Sequence, residues 1–442
     1  MKKVTSFVAA LALSAVALTA CGSDNTASNT ASPSSGGTAG ASPSASTSPK
    51  NVALGISVPG QDLPGLEELA KKFEEQNAGV KISVARAPNE QYEQTLKAHL
   101  VAKEDVPDLF LQWPGRGKIG VAINAGYLAD LSSLGPVADI DQGQLSPFSQ
   151  DGKVYGIPWA KNFLGVYYNK TLFEQQGLNV PTNWEELLEV ADRLQSAGVT
   201  PFAFPAKDGS GMFTWYALVP STVYAKDPDW DQKRYDNQVQ FATSDSWKST
   251  GEQLKLLLDK GYLGKNINGL GNDSANALIA DGKAAMIVNG NWAIGDYEKL
   301  ASDAGITMGM FAFPGNEPGQ PLWLSAAPST GLSVWSGSPN QDTAKQLIEF
   351  LYDEENVPAL IGSGQFSTLK TVAMDSNPIF ADILDIIRTG SSYPFLDVGW
   401  PAGPQSDAFT KETQAALGGA STFEKVLEAA DKSWDKSVES GN

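Results

Sequence analysis

VALGISVPGQDLPGLEELAKKFEEQNAGVKISVA, residues 52–85, decides the fold class. Val52 to Val58 is a short, mostly apolar run of strand length. Pro64-Gly65 breaks the chain. Leu66, Leu69, Ala70 and Phe73 then recur at i, i+3, i+4 and i+7, which gives a helix one apolar face. Asn77 to Gly79 ends that helix, and Val80, Ile82 and Val84 alternate as a second strand. Downstream, Tyr92, Leu96, His99 and Leu100 mark another helix, and Pro107-Asp108 leads into the apolar Leu109-Phe110-Leu111. The order β-α-β-α-β predicts a parallel sheet covered by helices. Ligands of such sheets sit beyond the carboxyl ends of the strands. Here those ends are Pro59-Gly60-Gln61-Asp62 and Gln112-Trp113-Pro114-Gly115-Arg116, both with polar groups suited to a neutral ligand.

The alternation continues further along. Val166 to Asn169 reads as a strand end. Thr182 to Ala197 reads as a helix opened by a Thr182/Glu185 capping box, with Trp184, Leu187, Leu188, Ala191 and Leu194 as its apolar stripe. Ala284 to Val288 reads as a buried strand, Leu322–Ala327 and Gly331–Trp335 as a strand pair, and Asp342–Tyr352 and Phe423–Trp434 as amphipathic helices.

Working back from residue 52, Gly22 to Lys50 is almost entirely Ser, Thr, Ala, Gly and Pro, with no bulky apolar residue to bury, so it predicts a flexible linker. Residues 1–20 have the form of a signal peptide, with Lys2 and Lys3 ahead of an apolar stretch. Cys21, the single Cys of the chain, follows Leu18-Thr19-Ala20. That arrangement resembles the lipobox of bacterial lipoproteins, which implies lipidation of Cys21 and a membrane anchor.

The whole chain has 442 residues and a formal net charge of −18. A strongly acidic protein lacks the basic footprint that nucleic acid requires. One Cys and one His exclude disulfide frameworks and Cys- or His-rich metal centres. No cofactor and no metal are expected. Asp139-Ile140-Asp141 and Asp227 to Asp231 lack a full calcium-loop pattern, so they read as solvated turns. A ferric site at Tyr167-Tyr168 is disfavoured by the Asn169-Lys170 that follows and by the absence of a nearby His.

Five segments resemble the extracellular solute-binding proteins of ABC importers, family 1, the maltose-binding-like group. They are Gly152-Lys153-Val154-Tyr155-Gly156-Ile157-Pro158-Trp159, Tyr168-Asn169-Lys170-Thr171-Leu172-Phe173, Pro181-Thr182-Asn183-Trp184-Glu185-Glu186-Leu187, Gly282-Lys283-Ala284-Ala285-Met286 with Gly290-Asn291-Trp292, and Ala344 to Tyr352. The resemblance implies an α/β fold: a two-lobed periplasmic-binding-protein clamshell of type II. Each lobe would be a sheet flanked by helices, joined by three hinge crossings near Trp159–Phe163, Phe313–Gly319 and Gly337–Gln341. Lobe one is expected over 51–160 plus 316–338, and lobe two over 165–312 plus 342–442. The function it implies is capture of a sugar or oligosaccharide at the extracytoplasmic face. Delivery would be to a permease and its ATPase subunits, by a monomer lipid-anchored to the cell membrane.

Eleven Trp suit such a ligand, because flat rings cover the apolar faces of a pyranose while amides, carboxylates and guanidinium select its hydroxyls. Trp292 and Asn291 take the family's G-x-W position. Asn162 falls just after the first crossing, and Gln112 and Arg116 lie on the polar loop after the third strand. Gln61 and Asp62 end the first strand, and Trp159, Trp400, Trp113, Trp215 and Trp323 lie in or beside turns. The competing reading is a secreted, lipid-anchored glycoside hydrolase, which needs two carboxylates facing each other across a cleft. No acidic residue is marked by a recognisable catalytic motif.

Overall fold

The computed structural model describes residues 51–60, 62–362, 364–372, 377–389 and 391–440. The expected signal peptide, Cys21, the linker and Gln61 lie outside the described residues. In chain order the strands are β1 (Val52–Pro59), β2 (Val80–Ala87), β3 (Leu109–Gln112), β4 (Ile157–Pro158), β5 (Ala160–Asn169), β6 (Thr200–Phe202), β7 (Ala284–Gly290), β8 (Met308–Phe311), β9 (Leu324–Pro328), β10 (Gly331–Val334), β11 (Phe366–Ser367) and β12 (Ser392–Tyr393). A small hairpin at 149–154 pairs only with itself.

The first sheet runs β2-β1-β3-β10-β4. β1 is parallel to β2, from Val52 opposite Val80 to Pro59 opposite Ala87, and parallel to β3. The crossovers such parallel pairs require are the helices Leu66–Gln76 and Asn89–Ala102. Leu66, Leu69 and Phe73 are buried against Leu54 and Ile56, as the periodicity of the opening stretch dictates. The second sheet runs β12-β9-β5-β7-β6, with β8 and β11 also paired to the long β5. Its two faces carry separate cores, one rich in aromatic rings around Trp215, Trp247 and Trp400, the other around Tyr167, Ile287 and Met310. Each sheet with its covering helices forms one lobe.

Several expectations are corrected by the hydrogen-bonding partners. The segments read as a strand pair at 322–335 do not pair: β9 joins β5 and β12 in the second sheet, and β10 joins β3 and β4 in the first. Ser329-Thr330 between them is therefore a passage between lobes. Among the described residues the chain also passes between lobes at Trp159, between β4 and β5, and on either side of β11, where Ile361 and Leu369 lie in the first core and Phe366 in a second-lobe core. No passage occurs at 313–319, because Phe313 and Leu324 both lie in second-lobe cores. None occurs at 337–341 either. The helix Gln341–Leu351 buries Ala344, Leu347, Ile348 and Leu351 in the first core, so 341–361 belongs to lobe one rather than lobe two. The capping box at the helix Trp184–Ser196 sits one residue later than expected: the Asn183 side chain accepts from the Glu186 N–H at 3.0 Å, and Glu186 reaches back to Thr182.

Candidate functional site

The passages between lobes and the carboxyl ends of β1 and β3 converge on one region. Asp62 follows β1. Its Oδ2 accepts from Thr330 Oγ1 at 2.6 Å, and Thr330 Oγ1 accepts from Trp159 Nε1 at 3.0 Å. One hydrogen-bond chain thus ties the end of β1 to two of the passages. Burial pushes the Asp62 carboxyl up to about 6, against the opposing effects of the Thr330 hydrogen bond and of Arg86. Arg86 also donates to the Asp62 carbonyl at 2.7 Å and pairs with Glu67, which fixes the turn. Asn162, half-buried just past the first passage, has a buried Oδ1 without a partner among the described residues. A buried acceptor left open in this way is a place for a ligand hydroxyl.

The loop after β3 supplies the rest of the first wall. Gln112 and Trp113 are half-buried. Trp113 stands edge-on to Tyr92 with centroids 5.8 Å apart, and the Tyr92 hydroxyl donates to the carbonyls of Ser57 and Leu111. An open groove of about 120 Å³ lies between the helix Asn89–Ala102 and residues 112–127. Arg116 is exposed and reaches to the other lobe, its guanidinium 4.9 Å from the Tyr235 ring centroid.

On the second lobe β7 ends at Gly290, and the chain turns through Asn291 and Trp292 into the helix Ile294–Ala304. Trp292 is 37% exposed, a large apolar side chain left open to solvent. Its ring folds back over Gly290, where a Cβ would stand 2.2 Å from it, so this ring position requires glycine. Phe213 and Phe395 meet the indole edge-on, at 5.7 and 6.1 Å between centroids. Beside Phe395, burial pushes the Asp397 carboxyl up, opposed chiefly by Lys118 of the first lobe.

Not every expected residue reaches this region. Trp215 is fully buried, its Nε1 donating to Thr413 Oγ1 at 3.0 Å. Trp400 is 1% exposed, with Nε1 on Asp231 at 3.0 Å. Both are core residues, and neither presents a face to a ligand. Asn291 is also fully buried: it accepts from the Phe163 N–H at 2.8 Å and donates to the Lys161 carbonyl at 3.1 Å, so it clamps the start of β5. Trp159 is 5% exposed and holds Thr330. Trp323 is half-buried, with a buried indole N–H that has no partner among the described residues. Phe213, Phe395 and Asp397 were not expected. Their signals, Gly209-Ser210-Gly211 before Phe213 and Pro394 before Phe395, mark only loops.

Two sheet-and-helix lobes joined by several passages, with an open indole and unpartnered polar groups beside them, have the architecture of a two-lobed ligand-binding protein. The chain belongs to the bacterial extracellular solute-binding proteins, whose family pattern matches residues 68–386. It is 25% identical over 359 residues to the multiple sugar-binding protein of Streptococcus mutans, covering 79% of this chain and 82% of that protein. It is 24% identical to the melibiose/raffinose/stachyose-binding protein MelE of Bacillus subtilis, covering 64% of this chain and 66% of that protein. The fold matches a chitin oligosaccharide binding protein with a TM-score of 0.77 at 24% identity, over 88% of this chain and 99% of that one. It also matches the binding protein RafE in complex with raffinose, with a TM-score of 0.73 at 22% identity, over 87% and 99%. These relatives are binding proteins.

Proposed function

We propose that this protein is the capture subunit of an ABC sugar importer. It takes a sugar or oligosaccharide between its lobes at the extracytoplasmic face and delivers it, unaltered, to a membrane permease. The observation that carries the reading is Trp292, a half-open indole held over Gly290 and flanked by Phe213 and Phe395. The ring takes an apolar sugar face, while Asp62, Asn162, Gln112 and Asp397 supply hydrogen bonds to hydroxyls. Trp113 and Trp323 are further contacts of the same cleft. Lipidation of Cys21 tethers the protein to the membrane beside its permease. Reversible delivery suits an affinity near micromolar, about −8 kcal/mol.

A thermal-shift screen against mono- and oligosaccharides tests this reading. A ligand at 100 times its dissociation constant stabilises the folded state by about 2.7 kcal/mol, a rise of about 3 °C for a chain of this size. A hit recovered chemically intact supports a binder. Hydrolysis of the hit would favour the carboxylate-pair enzyme instead, and silence across the panel would remove the sugar assignment.

A further inference from the structure

The two lobes meet at a second place besides their connecting passages. Residues 115–118 of the first lobe lie directly on residues 397–402 of the second. The Arg116 N–H donates to the Val398 carbonyl at 3.4 Å. The Arg116 guanidinium covers Tyr235, whose hydroxyl donates to the Gly399 carbonyl at 3.0 Å. Two glycines permit this approach. A Cβ on Gly115 would stand 2.5 Å from the Val398 carbonyl oxygen, and one on Gly117 would stand 2.6 Å from the Ala402 backbone N. The obstructing atoms are backbone atoms of the opposite lobe, which cannot swing aside as a side chain would. They are also held firmly. Trp400 is packed in the aromatic core, and its indole is bonded to Asp231.

We infer that Gly115 and Gly117 form a stop for lobe closure: backbone against backbone, they set how near the lobes come, without any ligand between them. The contact also seals the cleft on that side, so a captured molecule is confined to the space bounded by Asp62 and Trp292. This makes the two glycines specificity-determining positions although they offer no side chain. The inference rests on the two-lobed capture reading for its meaning, but it concerns the lobes alone and needs no sugar to be tested.

Gly117 is the informative position. Gly115 has φ +106°, so a side chain there would strain its own loop, whereas Gly117 lies outside the left-handed region and Ala fits its local backbone. Gly117→Ala therefore acts on the partner lobe. The test places spin labels on Val101→Cys of lobe one and Val438→Cys of lobe two, both exposed, in the full chain carrying Cys21→Ser. Interlobe distances are then read by double electron–electron resonance without ligand and with the saturating sugar found by the screen. The expected result is a closed-state distance, the shortest one populated, that shifts longer with Gly117→Ala. Gly143→Ala, a site in lobe one with open space around it, should leave the distance unmoved. A Gly117→Ala distribution coinciding with its parent would overturn the inference. If Gly117→Ala does not fold, Arg116→Ala is measured instead, since it removes the guanidinium–ring contact and adds no bulk; a closed-state distance kept at the parent value supports a backbone stop and a changed one refutes it. If the screen finds no sugar, the shortest distance populated by the free protein is compared among the same variants, so the two ideas fall separately.

Discussion

Lobe two contains two groups of aromatic rings made of the same residue types in opposite settings. Around Trp400, the rings of Phe241, Trp247, Phe409 and Trp434 lie between 5.2 and 6.0 Å away, and nothing there meets solvent. Around Trp292 only Phe213 and Phe395 close in, and one side stays open. The indole nitrogens mark the difference. Trp400 donates inward to Asp231, and Trp215 to Thr413. Trp292 has no such partner among the described residues and lies over a glycine instead. A buried indole must satisfy its N–H, while an indole serving a ligand need only be held in orientation.

Truncating each ring should separate the two roles most sharply. Trp400→Ala removes a fully enclosed ring and one donor from a buried carboxylate. It should cost about 3–5 kcal/mol by urea denaturation. Trp292→Ala, at a half-open site, should change stability by only about 0.5 kcal/mol. Affinity for the sugar found by screening should behave in reverse. It should fall at least tenfold, about 1.4 kcal/mol, in Trp292→Ala. Equal affinity in that variant, with its fold intact, would remove Trp292 from the site.

Gly290→Ala tests the same ring without deleting it. Its φ of −92° accommodates Ala, so the backbone is not strained, but the new Cβ would occupy the indole's place. The ring must swing out, and affinity should drop nearly as far as in Trp292→Ala. Next in size is Asn291→Ala. Asn291 sits beside Trp292 yet is buried, and its loss leaves the Phe163 N–H and Lys161 carbonyl unpaired. A destabilisation of about 2 kcal/mol is expected, with the sugar affinity of the remaining folded protein close to normal. Adjacent residues in one motif would thus fail in different ways.

How far these roles were legible in the sequence follows the same division. The first three strands and their helices could be read because their periodicity is local: Leu66, Leu69, Ala70 and Phe73 must face one way in any helix. The allegiance of β9 and β10 could not. Both are short and almost wholly buried, so neither alternates, and only two residues separate them, as in a hairpin. Which sheet supplies their hydrogen bonds is settled by distant strands. The aromatic residues fail for a related reason. Glycine and proline around Trp400 mark an irregular backbone correctly, but an irregular backbone can fold inward when a buried acceptor such as Asp231 awaits it. Asp231 lies 169 residues from Trp400 in sequence, and no local pattern announces that pairing.

The smallest expected effect concerns two carboxylates that repeat the contrast. Burial pushes both Asp62, at the cleft, and Asp231, in the aromatic core, up to about 6. A folded-state value above the unfolded one means the native protein holds a proton that the unfolded chain has already released. The associated stability is present below about pH 4 and is lost as pH rises through about 6. Asp62→Asn mimics the protonated form. Relative to wild type it should gain stability between pH 4 and pH 7, as measured by denaturation at each pH. Asp231→Asn should gain less, because the Asp231 carboxylate accepts from Tyr224, Trp400 and Tyr393, and an amide cannot accept at both ends. Among the described residues Asp62 has Thr330 as its one side-chain hydroxyl donor, and an amide oxygen can keep that bond. A sugar donating a hydroxyl to the ionised Asp62 would lower its value and reduce the pH dependence in the wild type alone. If saturating sugar leaves the wild-type pH profile unchanged, Asp62 shapes the cleft without touching the ligand.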